Sequence, residues 1–320
     1  MNICYLHQYF NTPSMTGGIR SYEMARRLVA AGHSVNMITT DRTASGRPVG
    51  SWYQTQEAGI NVHWLVVPYS NKMSYAQRTK AFFQFALAAG KKAAAIGGDV
   101  VFATSTPLTI AIPAVKASRK NGIPMVFEVR DLWPELPIAM GALRNPAAIA
   151  AARWLERYAY RHSAQIVALS PGMKDGVVAA GYPEDKVTVI PNSCDFELFQ
   201  IDAQAGLEVR RKHDWLGDRP LVIYTGTVGK INGVDYLVRL AANLQSIDPE
   251  VRFLVIAKES SETQKIATLA TELGVFQKSF YILPPVPKKD VPAWLSAATM
   301  TTSTFIDLKA MWANSANKFF

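Results

Sequence analysis

Thiols are nearly absent. Cys4 and Cys194 are the only cysteines in 320 residues, too few and too far apart in sequence for a disulfide framework or a zinc motif, and they read as the reduced, ordinary thiols of a cytosolic protein. Long hydrophobic runs are absent too. No stretch of about eighteen apolar residues occurs, and the start Met1-Asn2-Ile3-Cys4-Tyr5-Leu6 lacks a basic region, so neither a membrane span nor a secretory signal is expected. The dinucleotide fingerprint Gly-x-Gly-x-x-Gly is missing as well, which argues against a nicotinamide dehydrogenase. Charge is scarce at 18%, and what there is leans one way, to a formal +9. Polyanions, anionic lipid and phosphorylated ligands all fit that balance. Nucleic acid is not expected as a partner, because no DNA- or RNA-binding signature accompanies the charge.

What is present is apolar substance, 49% of the residues, enough at this length for two cores of ordinary size. Strand-like and helix-like stretches alternate throughout, the pattern of parallel sheets with right-handed crossovers. The first half opens with a strand at Ile3–Leu6, Gly17-Gly18, a helix with Tyr22, Ala25, Leu28 and Val29 on one face, and a strand at Val35–Thr39. Residues 43–59 are polar and Gly-rich and read as a loop, followed by a strand at Ile60–Val67. The helix expected over 74–96 places Phe82, Phe85, Ala86 and Ala89 on one side and Lys80, Gln84 and Lys91 opposite. That basic side is either a solvated face or one resting on anionic lipid headgroups. A strand at 124–129 runs into Arg130-Asp131-Leu132-Trp133-Pro134-Glu135, the strand end where open α/β sheets place ligands. Arg153, Arg157 and Arg161 form a basic stripe on a helix over 146–163.

The two halves meet at Val187-Thr188-Val189-Ile190-Pro191-Asn192-Ser193-Cys194-Asp195, where Pro-Asn ends a strand as a turn. A second series then opens with Leu221-Val222-Ile223-Tyr224-Thr225-Gly226-Thr227-Val228-Gly229-Lys230, and a helix is expected from about Val234. Backbone N–H groups and a lysine presented at a helix N-terminus make anion-binding geometry. Domains are therefore expected over 1–195 and 196–320. The end, Asn314-Ser315-Ala316-Asn317-Lys318-Phe319-Phe320, reads as the capped start of a helix, so further sequence beyond residue 320 is expected.

Taken in order, Met1-Asn2-Ile3 through Gly17-Gly18-Ile19-Arg20, Ala31-Gly32-His33-Ser34-Val35, the run Phe127 to Glu135, Val189 to Asp195, Tyr224-Thr225-Gly226 and Asn314 to Lys318 resemble the retaining family 4 group of GT-B glycosyltransferases. Arg130-Asp131-Leu132-Trp133-Pro134-Glu135 is similar to the subgroup that builds bacterial surface polysaccharides (lipopolysaccharide, capsule), including amino-deoxyhexose transferases. The resemblance implies an α/β GT-B fold of two doubly wound Rossmann-like domains facing a cleft, the second incomplete. The N-terminal domain would bind acceptor and the C-terminal one a nucleoside-diphosphate sugar, UDP-sugar before GDP-sugar. It implies a polyprenyl-linked or other glycan acceptor, retention of configuration, no cofactor, and a cytoplasmic enzyme at the inner face of the cytoplasmic membrane. The absence of Asp-x-Asp runs against a metal-dependent GT-A enzyme.

Such a reaction needs fixed dipoles and cations around the charge that grows on the leaving diphosphate. In the family an Arg and a Lys clamp that diphosphate; here those positions are Thr227 and Asn232. Lys230, with the N–H groups of Gly229 and Gly18, is expected to take over, Gly17 shaping the first turn. The family's pair of acids is not matched at Ala313, and its later member would fall beyond residue 320. Ser315 and Lys318 remain as phosphate contacts at a helix start. On the acceptor side Asp131 positions a sugar hydroxyl without attacking, assisted by Glu135, while Arg130 and Arg20 face the acceptor. His7 and His33 read as structural. Two further functions fit the same residues: a nucleotide-sugar 2-epimerase, and a non-catalytic nucleotide- or glycan-binding module that has lost the clamp.

Overall fold

The computed structural model describes residues 1–15, 17–43, 46–70, 73–200 and 202–316. The chain divides into two compact units, Met1–Pro191 with Trp312–Ser315, and Asn192–Met311 with Ala316. In the first unit the elements are β1 (Asn2–Leu6), α1 (Arg20–Ala30), β2 (Ser34–Asp41), β3 (Trp52–Glu57), β4 (Ile60–Val66), α2 (Tyr75–Ile96), β5 (Val100–Thr104), α3 (Ala111–Asn121), β6 (Met125–Val129), α4 (Glu135–Ala139), α5 (Pro146–Arg161), β7 (Gln165–Ala168), α6 (Pro171–Ala179) and β8 (Val187–Val189). They build an eight-stranded sheet in the order β3-β4-β2-β1-β5-β6-β7-β8, parallel except for β3 against β4.

Strand alternation sends side chains to both faces of this sheet. Cys4 and Leu6 meet Phe85 of α2, Ala114 of α3 and Tyr160 of α5 on one face; Ile3 and Tyr5 meet Ala25 of α1 and Trp64 on the other. Helix starts follow local chemistry. Ser74 and Gln77 form a capping box on α2, and Asn145 caps α5 with Pro146 in its first turn, so orphan N–H groups find acceptors where the chain enters a helix.

One local expectation is corrected. Residues 43–59 are not all loop: Trp52–Glu57 is an antiparallel edge strand, closed by Ala58 (φ 49) and Gly59 (φ 81), a pair of left-handed residues of the kind a tight hairpin requires. After Pro107 the chain makes a short 3₁₀ turn, Leu108–Ile110, before α3. Pro134 sits at the N-cap of α4, where its missing N–H costs nothing.

The second unit comprises α7 (Phe196–Phe199), α8 (Ala203–Arg211), β9 (Leu221–Thr225), α9 (Asp235–Leu244), β10 (Arg252–Ile256), α10 (Ser261–Glu272), β11 (Phe280–Leu283), α11 (Val291–Ala297) and β12 (Met300–Thr301). Its four-stranded parallel sheet runs β11-β10-β9-β12. Tyr224, Phe253 and Phe280 pack with Val238 of α9 on one face; Leu221, Ile223 and Leu254 pack with Trp294 of α11 on the other. Gly206 lets α8 approach α11 closely, since a Cβ there would stand 2.6 Å from the Ser296 carbonyl carbon. Among the described residues no helix is long and apolar enough to cross a membrane.

Strand order reverses between β1 and β5 in the first unit and between β9 and β12 in the second. Just past the carboxyl ends of the strands, such a reversal opens a crevice in a parallel sheet.

Candidate functional site

At the first reversal the chain leaves β1 into Gln8–Ser14 and returns through Gly17-Gly18 to α1. Gly17 takes φ 134, and a Cβ on it would stand 2.7 Å from Asn11 Nδ2, so both conformation and space favour glycine. Asn11 Nδ2 donates to the carbonyls of Tyr9 (3.2 Å) and Gly18 (3.1 Å), and its Oδ1 accepts from Arg42. The Arg130 guanidinium lies 4.0 Å from where a Gly18 Cβ would be. The structure therefore brings Gly17, Gly18 and Arg130 together and adds Arg42, which sequence reasoning passed over. The available signal was its position directly after the C-terminal end of a strand.

His7 is buried, with Nδ1 2.7 Å from the Ser21 hydroxyl. Burial, then the charges of Arg130 and Arg42, hold its imidazole well below the ordinary value, which favours the neutral ring. Asp131 Oδ2 accepts from Thr106 Oγ1 at 2.8 Å, and the Arg130 N–H donates to Ser105 Oγ at 3.0 Å. These two bonds tie the end of β6 to the loop after β5.

Arg20 is reassigned. Its Nε donates to Glu128 Oε1 at 3.0 Å, Nη1 to the Pro191 carbonyl at 2.9 Å and Nη2 to the Ile190 carbonyl at 3.1 Å. Glu128 is fully buried on β6 and also accepts from Thr104 Oγ1 at 2.9 Å. Thus Arg20 clamps a buried carboxylate and the close of the first unit. A carboxylate inside the apolar strand Met125-Val126-Phe127-Glu128-Val129 was the signal that a buried cation had to be found. Glu135 is directed to Arg153 on α5 (3.4 Å), both side chains 50% exposed, a pair worth little in water.

At the second reversal β9 ends in Gly226, whose N–H is spent on the Ile256 carbonyl at 3.0 Å. The Thr227 carbonyl accepts from Tyr224 OH at 2.7 Å, and Thr227 is exposed. α9 begins at Asp235 with Val234 as its N-cap, within a residue of the expected start, and Lys230–Asn232 is a 3₁₀ turn that precedes it. The Gly229 N–H, expected to face a phosphate, donates instead to Asn232 Oδ1 at 3.0 Å; the amide side chain caps its own turn. Asn232 is held in turn by Thr304 Oγ1, which donates to its carbonyl at 2.6 Å. Lys230 is exposed and, among the described residues, in no ion pair.

Ser315 lies in Trp312–Ser315, which packs with the first unit, where Ser170 Oγ donates to the Ala313 carbonyl at 2.5 Å. A domain running unbroken over 196–320 had not anticipated that return. Residues 314–316 are irregular in place of the helix start expected there, and Lys318 lies outside the described residues. Among the described residues no three His, Cys, Asp or Glu side chains converge to hold a metal ion.

Two doubly wound α/β units, each with a Gly-rich turn at its strand reversal, define a GT-B fold. Solved structures agree: sucrose-phosphate synthase from Thermosynechococcus elongatus superposes with TM-score 0.74 at 15% identity over 94% of this chain and 74% of its own. Anabaena HepE in complex with UDP-glucose does so with TM-score 0.65 at 16% identity over 95% and 74%. The chain belongs to the glycosyl transferase 4-like family, whose domain matches residues 17–193. Among curated relatives, the putative colanic acid biosynthesis glycosyl transferase WcaI of Escherichia coli is 21% identical over 85% of this chain and 69% of its own length. The α-D-kanosaminyltransferase of Streptomyces kanamyceticus is 26% identical over 43% of this chain. This chain spans only 36% of the latter's length.

Proposed function

We propose that the protein is a retaining glycosyltransferase that moves a sugar from a nucleoside diphosphate, UDP before GDP, to a lipid-linked or polysaccharide-precursor acceptor. The observation that carries the reading is the pair of Gly-rich turns, each at the point where a parallel sheet reverses its strand order. Named relatives support it: one is a putative transferase of colanic acid biosynthesis, and one structural neighbour was captured with UDP-glucose. In this reading Lys230 lies against the diphosphate and offsets the charge that grows on it as the glycosidic bond breaks. Thr227, Gly229 and Asn232 shape the donor side. Asp131, held by Thr106, orients the incoming acceptor hydroxyl, while Arg130, with Arg42 close by, faces an acceptor phosphate. The leaving diphosphate itself assists that hydroxyl, so no protein nucleophile is required and configuration is retained.

The test is release of UDP or GDP from UDP-glucose, UDP-galactose, UDP-N-acetylglucosamine and GDP-mannose by the full-length gene product, with polyprenyl-diphosphate-linked saccharide present and product anomers read by NMR. Absence of turnover with every donor sinks the proposal. One observation favours a second reading, a module that binds nucleotide without turnover: Asn232 stands at a clamp position and occupies the Gly229 N–H. Saturable UDP binding without any transfer would select it.

A further inference from the structure

We propose that the outer face of α2, α3 and α5 is a docking surface for an anionic lipid bilayer. α3 packs between α2 and α5 on one face of the large sheet. Gly90 allows α2 to ride close to α3, since a Cβ there would stand 3.3 Å from Pro113 Cα. Asn121 Nδ2 donates to the Ala94 carbonyl at 3.3 Å and Arg119 donates to His162, so the three helices form one connected layer.

That layer holds the whole charge imbalance of the protein. The three helices carry ten Lys and Arg and a single carboxylate, Glu156, and Glu156 is buried. The remaining 24 cations and 24 acids balance, so the net +9 is the charge of this layer alone.

Its solvent side is also apolar where a solvated face would be polar. On α2, Lys80, Phe83, Leu87 and Lys91 fall within an arc of about 80° at 3.6 residues per turn, and Phe83 and Leu87 are 46% and 63% exposed. Arg78 and Lys92 are turned to other work, the first donating to Tyr69 OH and the second lying over the Trp52 ring. On α5, Trp154 is 60% exposed beside Arg157 and stacks on Tyr158. On α3 the exposed side chains include Lys116 and Lys120. Large apolar side chains flanked by long amines are the composition of a surface that lies in the headgroup layer: the rings and Leu enter, and the amines reach anionic phosphates. Phosphate-rich nucleic acid would match the cations and could stack its bases on Phe83 or Trp154, but it would leave the aliphatic Leu87 without a partner. This inference goes beyond the glycosyl-transfer reading and does not depend on it.

The experiment is co-sedimentation of the protein, without any sugar donor, with vesicles of phosphatidylcholine alone and with 30% phosphatidylglycerol. Binding is expected only to the anionic vesicles and is expected to fall with salt. Each cation near such a surface contributes roughly fivefold in affinity, so Lys80→Glu/Lys91→Glu is expected to weaken binding by more than tenfold. Leu87→Ser weakens it severalfold. A charge-matched control on the second unit, Lys212→Glu/Lys278→Glu, leaves it within about twofold; far-UV circular dichroism and Tm confirm that all variants fold. Equal binding by Lys80→Glu/Lys91→Glu and wild type, or equal loss in the control, overturns the proposal. So does tighter binding of a 30-nucleotide RNA than of vesicles at the same salt, when it is abolished by the α2 variants but unaffected by Leu87→Ser.

Discussion

The turns at the two strand reversals are held in opposite ways. The first, at Gly17-Gly18, is built from distant parts of the chain: Asn11, Arg42 and Arg130 close around it, and α1 beside it is anchored through Arg20 to a buried carboxylate on β6. The second, at Gly226–Gly233, has no charged tether among the described residues: Asn232 caps Gly229 and Tyr224 donates to the Thr227 carbonyl, and the distant bonds that hold it, from Gly226 to Ile256, from Ile306 to Ile231 and from Thr304 to Asn232, are all between neutral groups. A turn fixed by long-range charge is rigid only while its partners stay paired. A self-capped turn can give up the one bond from Asn232 Oδ1 and offer the Gly229 N–H to a ligand.

The largest effect should come from breaking the charge anchor. Arg20→Ala leaves Glu128 ionisable and buried without its cation, expected to destabilise the first unit by about 3–5 kcal/mol in urea unfolding; a loss under 1 kcal/mol would show that the anchor does not hold the turn. Arg20→Met/Glu128→Met should recover most of that loss, because two apolar groups leave no orphan charge.

Glu156 sharpens the contrast, as a buried carboxylate of the same unit that forms no salt bridge among the described residues. Burial, then the charge of Glu135, pushes its carboxyl up to about 7. Since the folded value lies above the unfolded one, its favourable contribution is full below about pH 4.5 and is lost as pH rises through 7. Glu156→Gln is therefore expected to be more stable than wild type at pH 8, by on the order of 2–3 kcal/mol, and to flatten the pH dependence between 5 and 7. Parallel wild-type and variant curves of Tm against pH would contradict this.

Lys230 tests the second turn. Lys230→Ala should lower donor turnover roughly 30-fold, about 2 kcal/mol of charge stabilisation, while Tm stays within a degree, since the amine is exposed and in no ion pair among the described residues. The smallest change is expected for Asn232→Ala, about 1 kcal/mol for one side-chain hydrogen bond by urea unfolding of the second unit, against the 3–5 kcal/mol at Arg20.

Much of the architecture was legible. Alternating strand and helix patterns located nearly every strand, and both Gly-rich turns stand at the strand ends. β3 escaped because Trp52-Tyr53-Gln54-Thr55-Gln56-Glu57 is a half-exposed edge strand with little apolar weight, and only Ala58-Gly59 hinted at its hairpin. Arg20 drew attention because a cation after Gly-Gly suits an anion; the carboxylate it binds is 108 residues away. The basic stripes on α2 and α5 were visible one at a time, and the packing of α3 between them was not.

The amino-acid order alone determined the local facts: which stretches are apolar with period two or 3.6, where a chain must turn at Pro-Asn or Gly-Gly, which helices have caps, and that positive charge exceeds negative. Those depend on neighbours a few residues apart. Only the tertiary structure decided that Glu128 finds Arg20, that Asn232 spends the Gly229 N–H, and that the whole excess charge gathers on one layer of three helices. Each of those is a distance through space between groups remote in sequence or competing for one bond, and desolvation and hydrogen-bond geometry settle such choices only once the sheets have brought the groups together.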